Sequence, residues 1–251
     1  MKNHIHYNQA SSTNTLIKEM LLSENALPHL MVVSADYQTS GRGQRENVWE
    51  SEQGANLLFS LLLRPEQLKA SEAFAISRIV SVAIAKWLSG YVDSIAIKWP
   101  NDIYCGDKKI CGILIENSIM GANLSTAIVG VGININQTSF SSSIPNPTSL
   151  ALITGSRYNT NDMLCEVVDE IGKQYNNYFN GRAEDINTLY HDMLYRLNTP
   201  AQFRIPSHEP STGEDIFEAA IIGVEPNGCL QLKHADGTVH IYAFKEVEFI
   251  V

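Results

Sequence analysis

The chain has 251 residues, 44% of them hydrophobic, with 18 basic and 27 acidic side chains and a net charge of −9. This length supports one large core or one core with a small appended domain, and the acidic balance, without a long basic run, argues against nucleic acid as a main partner. No run approaches the roughly 18 apolar residues of a membrane span, and Met1-Lys2-Asn3-His4 leads into no apolar segment, so neither a span nor a signal peptide is expected.

In chain order, a short extended opening precedes Ser12-Thr13-Asn14, whose hydroxyl and amide groups suit the start of a helix carrying Leu16, Ile17, Met20 and Leu21 at helical spacing. Leu30 to Ala35 reads as an apolar strand running into Tyr37, Gln38 and the loop Gly41-Arg42-Gly43-Gln44-Arg45. Glycines flanking an arginine let a backbone approach a ligand, although surface turns often look the same. Trp49 precedes the strongly apolar strand Leu57 to Leu63. Ser71 is expected to cap a long helix reaching about Leu88, with Phe74, Ile79, Val82, Ala83 and Trp87 as its buried stripe.

The stretch Lys98 to Glu116, KWPNDIYCGDKKICGILIE, is the most informative. Ser94 to Trp99 alternates as a half-buried strand, and Pro100 with Asn101-Asp102 stops it in a turn. After Ile103 to Cys105 and a turn at Gly106-Asp107, Lys109 to Glu116 reads as a central strand. Simple alternation puts Lys109, Cys111, Ile113 and Ile115 on one face and Ile110, Gly112, Leu114 and Glu116 on the other. A strand-interior glycine suggests close approach of a backbone or ligand. Lys98, Lys109, the Asn-Asp turn and Gly112 together suggest a site for something negatively charged, while Lys98 alone also fits a side chain snorkelling from a strand end.

Leu124 to Asn134 ends in VGVGIN, a central strand whose glycines suit a ligand met backbone-first. It lacks a dinucleotide fingerprint, since no G-x-G-x-x-G follows. Gln137 to Pro147 reads as a loop, Asn161 as the cap of a helix through Ile171 and Tyr175, and Glu184 to Leu197 as another helix. Pro200, Pro206 and Pro210 mark a boundary or a mobile loop. Beyond it the period changes to two, with strands at Phe217–Val224, Leu230–Lys233, Val239–Ala243 and Val247–Ile250 and turns at Asn227-Gly228 and Asp236-Gly237. These describe a small β barrel. Cys105, Cys111, Cys165 and Cys229 form no C-x-x-C pair and read as reduced thiols of a cytoplasmic protein. The histidines contain no H-x-x-x-H pair, so a zinc site is not expected.

GRGQRENVW, KWPNDI, the spaced Lys109 and Gly112, and VGVGIN stand in the order and spacing of the biotin–protein ligases, which the chain resembles over nearly its whole length. The resemblance implies an α+β fold: a mixed sheet flanked by helices, like a class II synthetase core, in residues 1–198, then an SH3-like barrel in 199–251. It implies an ATP-dependent, AMP-forming ligase that makes biotinyl-5′-AMP, with Mg²⁺, and passes biotin to a lysine of a carboxylase's biotin carboxyl carrier domain. By resemblance Ser12, Thr13, Asn14, Gln38 and Arg42 would face biotin, Gly41, Gly43 and Arg45 would belong to the loop closing over the adenylate, and Trp49 would close that loop. Lys109 would contact the biotin carboxylate and α-phosphate, with Lys109, Arg42 and Asp102 as the catalytic set. Asn101 and Asp102 would hold the nucleotide and its magnesium, Asp102 being the metal residue. Gly112, Gly130, Gly132 and Asn134 would line the ligand from the sheet.

Rival expectations are a lipoate or octanoate–protein ligase or transferase of the same fold, and a biotin-responsive DNA-binding regulator. The second is disfavoured because the catalytic pattern starts at Ser12. The resemblance also allows a homodimer, since family members pair sheets edge to edge while some stay monomeric until ligand binds. One departure stands out: the family loop commonly reads Gly-Arg-Gly-Arg-x-Gly-Arg, whereas Gln44, Glu46 and Asn47 stand here, predicting a lid held less strongly by an anionic adenylate.

Overall fold

A computed structural model describes residues 3–23, 27–43, 48–206 and 215–250. Its larger layer is a seven-stranded mixed sheet of β1 (His4–Ala10), β2 (Met31–Gln38), β3 (Leu57–Leu63), β4 (Ile95–Lys98), β5 (Asp102–Cys105), β6 (Lys108–Met120) and β7 (Asn123–Ile133). The spatial order is β1-β2-β3-β7-β6-β5-β4; β1 and β2 are parallel and the other neighbours antiparallel. Every residue of β3 is buried, as its unbroken apolar run requires of a strand covered on both faces.

The two faces are covered differently. Leu57, Phe59, Leu61 and Leu63 join a large core with α2 (Phe74–Leu88), α4 (Thr160–Asn177) and α5 (Ala183–Asp192). On the opposite face, Leu62, Met31, Val33 and Ile128 form a smaller cluster with Ile17 of α1 (Thr13–Ser23). α1 packs mainly against β2, β3 and β7, and reaches β6 through the Asn14 and Lys18 bonds to Glu116. The face over β6 and the end of β7 is thus left for other uses.

The second sheet contains β8 (Pro200–Ile205), β9 (Asp215–Val224), β10 (Leu230–His234), β11 (Val239–Tyr242) and β12 (Glu248–Phe249), in the antiparallel order β11-β10-β9-β8-β12. Its Phe203, Ile221, Leu230 and Leu232 lie in the same core as Ile79 and Ile84 of α2. Polar groups lock the two sheets together. Buried Arg78 of α2 donates to the Val224 and Glu225 carbonyls at 3.0 and 2.8 Å and to Asn187 Oδ1 at 2.8 Å. The Trp99 indole donates to the Gly228 carbonyl at 2.8 Å, and Gly228, at φ +94°, sits so close to Phe74 that a Cβ would fall 2.5 Å from the ring.

Several boundaries differ from the sequence expectation. Ser71 lies in a separate turn at 70–72, and α2 begins at Phe74 without a side-chain cap. Asn159, not Asn161, caps α4, its Oδ1 accepting from Asn161 N–H at 3.0 Å. α5 stops at Asp192 because the chain turns alongside β4, where Ile97 N–H donates to Met193 O and Tyr195 N–H to Ile97 O. Pro200 opens β8, the first strand of the second sheet, a position that needs no ladder donor, Pro206 follows that strand, and Pro210 lies outside the described residues. A short helix, α3 (Leu150–Thr154), was not anticipated; Ser149 Oγ caps it and Gly155 ends it at φ +72°.

Arg78→Ala should leave three part-buried acceptors without their donor. The expected loss is about 2–4 kcal/mol of stability, read as a lower urea midpoint with an unchanged slope; a midpoint equal to wild type would show that the clamp contributes nothing.

Candidate functional site

The uncovered face carries a cavity of about 160 Å³ built from α1, β2, β6 and β7. Its polar end comes from the start of α1. Ser12 O accepts the first helical bond from Leu16 N–H at 3.1 Å, so Ser12, Thr13 and Asn14 sit buried at the helix N-terminus. Gln38, the last residue of β2, reaches over it and accepts from Thr13 N–H at 2.8 Å. Ser60 Oγ lies 2.6 Å from Thr13 Oγ1 and 2.5 Å from Asn14 Oδ1, and Asn14 Nδ2 donates to Glu116 at 2.8 Å.

The floor is bare backbone. Gly112 and Gly132 are direct partners across β6 and β7, and Gly130 pairs with Ser60 on one side and Leu114 on the other. The missing side chains make room for specific neighbours. A Cβ on Gly130 would lie 2.4 Å from Asn14 Oδ1, and Cβ atoms on Gly132 and Gly112 would lie 2.4 and 2.7 Å from the Trp49 indole. Trp49 therefore rests on the sheet, held by its N–H to Gly41 O at 3.1 Å. Its indole Nε1 is buried without a partner among the described residues.

Beyond Trp49 a second cavity of about 430 Å³ opens between β5, β6 and the 140–147 loop. Val48, Trp49, Asp102 and Lys109 border both cavities. Lys109 Nζ donates to Asp102 Oδ2 at 2.6 Å and stands 5.9 Å from the Trp49 ring. Asn134 lines the second cavity; its Nδ2 donates to Thr148 O at 2.9 Å, and its buried Oδ1 has no partner among the described residues.

Simple alternation misplaces Lys109. Ile103 pairs with Cys111 but Tyr104 pairs with Lys109, so Ile110 is an extra residue in β6. This bulge turns Lys109 onto the face of Gly112, where a glycine Cβ would touch its Cε at 3.4 Å. Lys109 and Gly112 share a face rather than opposing one another.

Ser12, Thr13, Asn14, Gln38, Arg42, Gly43, Trp49, Asp102, Lys109, Gly112, Gly130 and Gly132 line the first cavity, and Gly41 backs the Trp49 segment. Arg42 Nη2 pairs with Glu116 at 3.3 Å. Asn101 borders neither cavity; it is buried in the turn and lines a separate groove with Phe74, Gly228 and Phe244. Lys98 also borders neither, its ammonium lying 4.9 and 5.0 Å from the Tyr104 and Phe249 rings, where burial lowers its pKa. Arg45 and the Gln44, Glu46 and Asn47 departures lie outside the described residues. Sequence reasoning passed over Ser60, Glu116 and Lys18. A lone serine inside LLFSLLL was the available signal for the first.

The Biotin/lipoate A/B protein ligase family model matches residues 7–134, just over half the chain. The chain is 28% identical over 247 residues to the bifunctional ligase/repressor BirA of Bacillus spizizenii, covering 97% of this chain and 73% of the relative. It is 37% identical over 106 residues to the biotin–[acetyl-CoA-carboxylase] ligase of Paracoccus denitrificans, covering 41% and 43%. The solved biotin protein ligase from Aquifex aeolicus in complex with biotin and ATP has the same fold, at TM-score 0.80 and 23% identity over 100% of this chain and 99% of that one. Among the described residues no helix is long and apolar enough to cross a membrane.

Gly132→Ala should dislodge Trp49, because a Cβ cannot stand 2.4 Å from its ring. Trp87 and Trp99 are buried and hydrogen-bonded, so the expected red shift in tryptophan emission reports Trp49 alone. An unchanged spectrum would mean that the ring accommodates the methyl group in place.

Proposed function

Since the chain belongs to the biotin/lipoate A/B protein ligase family, we propose that it joins biotin to ATP, holds biotinyl-5′-AMP, and transfers biotin to a lysine of a biotin carboxyl carrier domain. The observation that carries this reading is the meeting of the two cavities at Lys109, Asp102 and Trp49. A slot with a polar end suits the biotin head and valeryl chain. The larger cavity beyond Trp49 suits a nucleotide, with Asn134 Oδ1 lacking a partner among the described residues.

In the first step a carboxylate oxygen attacks the α-phosphorus and pyrophosphate leaves. Two anions must approach, so the reaction needs positive charge at the point of contact. Lys109 stands where the cavities join and serves that purpose, with Arg42 at the rim of the first. Among the described residues no three His, Cys, Asp or Glu side chains converge, and Asp102 is the carboxylate common to both cavities. One carboxylate fits magnesium, which is commonly held by one or two carboxylates with phosphate oxygens and water. Asp102 would hold it, and the ion, when bound, neutralises the leaving pyrophosphate. In the second step the carrier's neutral lysine amine attacks the acyl carbon and AMP leaves. Asp102, released from Lys109 as that lysine engages the phosphate, orients the amine. Trp49 lies across the junction and keeps water from the mixed anhydride.

The decisive experiment is exchange of labelled pyrophosphate into ATP, expected with biotin and not with lipoate or octanoate. Exchange with lipoate alone would favour the sister activity. Lys109→Ala should keep the fold and lower exchange at least about a hundredfold, the effect of losing one preorganised donor, about 3 kcal/mol; near wild-type exchange would remove Lys109 from the reaction. The net charge of −9 supports a ligase without specific DNA binding. No footprint on a biotin-synthesis promoter is expected at physiological salt, and one would assign a regulatory role as well.

A further inference from the structure

Glu116 does not line the biotin-sized cavity, yet it is the terminus of a hydrogen-bond chain that ends there. Its carboxylate accepts from Asn14 Nδ2 at 2.8 Å and Lys18 Nζ at 2.7 Å, with Arg42 at 3.3 Å. Burial raises the Glu116 pKa, but the Lys18 and Asn14 hydrogen bonds and the Arg42 charge outweigh it and hold the group below its ordinary value. The carboxylate is therefore ionised at neutral pH and can only accept.

That single fact sets the direction of every later bond. Asn14 must turn its NH₂ toward Glu116, which leaves its carbonyl toward Ser60. Ser60 has one proton, and Asn14 Oδ1 at 2.5 Å takes it. The 2.6 Å contact between Ser60 Oγ and Thr13 Oγ1 must then use the proton of Thr13. Gln38 Oε1 accepts from Thr13 N–H at 2.8 Å and, at 3.2 Å, is the weaker rival for the Thr13 hydroxyl proton, which the 2.6 Å contact with Ser60 takes. Into the cavity the chain thus presents lone pairs at Thr13 Oγ1 and N–H donors at Gln38 Nε2, which has no partner among the described residues. A cyclic urea offers N–H donors and a carbonyl acceptor, the complementary set. An alkyl or dithiolane tail offers neither and would leave these buried groups unpaired.

We propose that Glu116 is a positioning residue that selects a ureido-bearing acid by fixing the polarity of the Asn14–Ser60–Thr13 chain. This rests on the biotin ligase reading above and adds to it a residue outside the cavity. Without the carboxylate, Asn14 is free to flip, and Ser60 then donates to Thr13. The acceptor at the head of the slot is lost, while the nucleotide cavity is untouched.

The test measures biotin and octanoate affinities by calorimetry, with the KM for ATP, in the full-length protein. Glu116→Leu is expected to weaken biotin at least about tenfold, leave octanoate and ATP within about twofold, and so narrow the preference between the two acids. Glu116→Gln, whose amide can donate as well as accept, no longer fixes the direction of Asn14 and should recover only part of the loss. Ser60→Ala, a small change at a fully buried position, breaks the chain without touching Glu116 and should reproduce the biotin defect even if Glu116→Leu does not fold. Lys18→Met, which leaves the Asn14–Glu116 bond in place but removes one of the groups that hold Glu116 ionised, should weaken biotin less than Glu116→Leu does. Wild-type biotin affinity in Ser60→Ala, or equal losses of biotin, octanoate and ATP in the Glu116 variants, would overturn the proposal. A wild-type protein that binds no biotin would overturn the underlying ligase reading, and this proposal with it.

Discussion

One extra residue in a strand decides where the site lies. Ile110 has no partner of its own between the Ile103–Cys111 and Tyr104–Lys109 pairs, and its insertion rotates the start of β6 by one side chain. Lys109 consequently points to the open face of the sheet. Its backbone is fixed on the other side by the loop strand, through Asn146 O and Thr148 N–H at 2.9 Å each. A regular strand would send this ammonium into the apolar layer beneath α2, where desolvation would oppose its charge.

The sheet divides its work between faces. The α2, α4 and α5 side carries nearly all the large apolar side chains, so stability comes from there. The other face gives up packing at Gly112, Gly130 and Gly132, each costing about 0.5–1 kcal/mol relative to alanine in a strand interior. Those losses are concentrated at two adjacent strands in the middle of the sheet, which long pairing on both sides can tolerate. Backbone then replaces side chains as the wall of the slot, and the Trp49 ring covers it.

Much of this arrangement was legible in the sequence, and the reasons for the gaps are physical. Apolar runs such as Leu57–Leu63 located strands because burial on both faces leaves an unbroken signal. The Asn-Gly and Asp-Gly turns located the second sheet because φ above zero needs those residues. The face of Lys109 was not legible, since a bulge leaves no composition mark when the inserted residue is an ordinary isoleucine. The 193–197 segment was misread as helix because only tertiary pairing, with β4, makes it regular. Glu116 was visible as a charged residue on the glycine face, but its partners Asn14 and Lys18 lie about a hundred residues away in sequence, and strand periodicity carries no such distance.

Each cation on the open face that borders the slot already has a carboxylate partner before any ligand arrives. Lys109 is paired with Asp102 from β5, and Arg42 and Lys18 with Glu116 from β6. Each of these pairs is at least a quarter exposed, and such pairs contribute about 0–1 kcal/mol, so exchanging a carboxylate partner for a phosphate or acyl oxygen costs little. An isolated cation in the same place would be free to act but would attract any anion at hand and would strain the folded state by its desolvation. The two carboxylates nonetheless have different fates in the proposed reaction. Asp102 shares a junction with the nucleotide cavity and is released as Lys109 turns to the α-phosphate, which leaves it available to a metal ion or an incoming amine. Glu116 keeps Asn14 and Lys18 even when Arg42 departs, so it stays ionised throughout and the polarity it imposes on the head of the slot survives both steps.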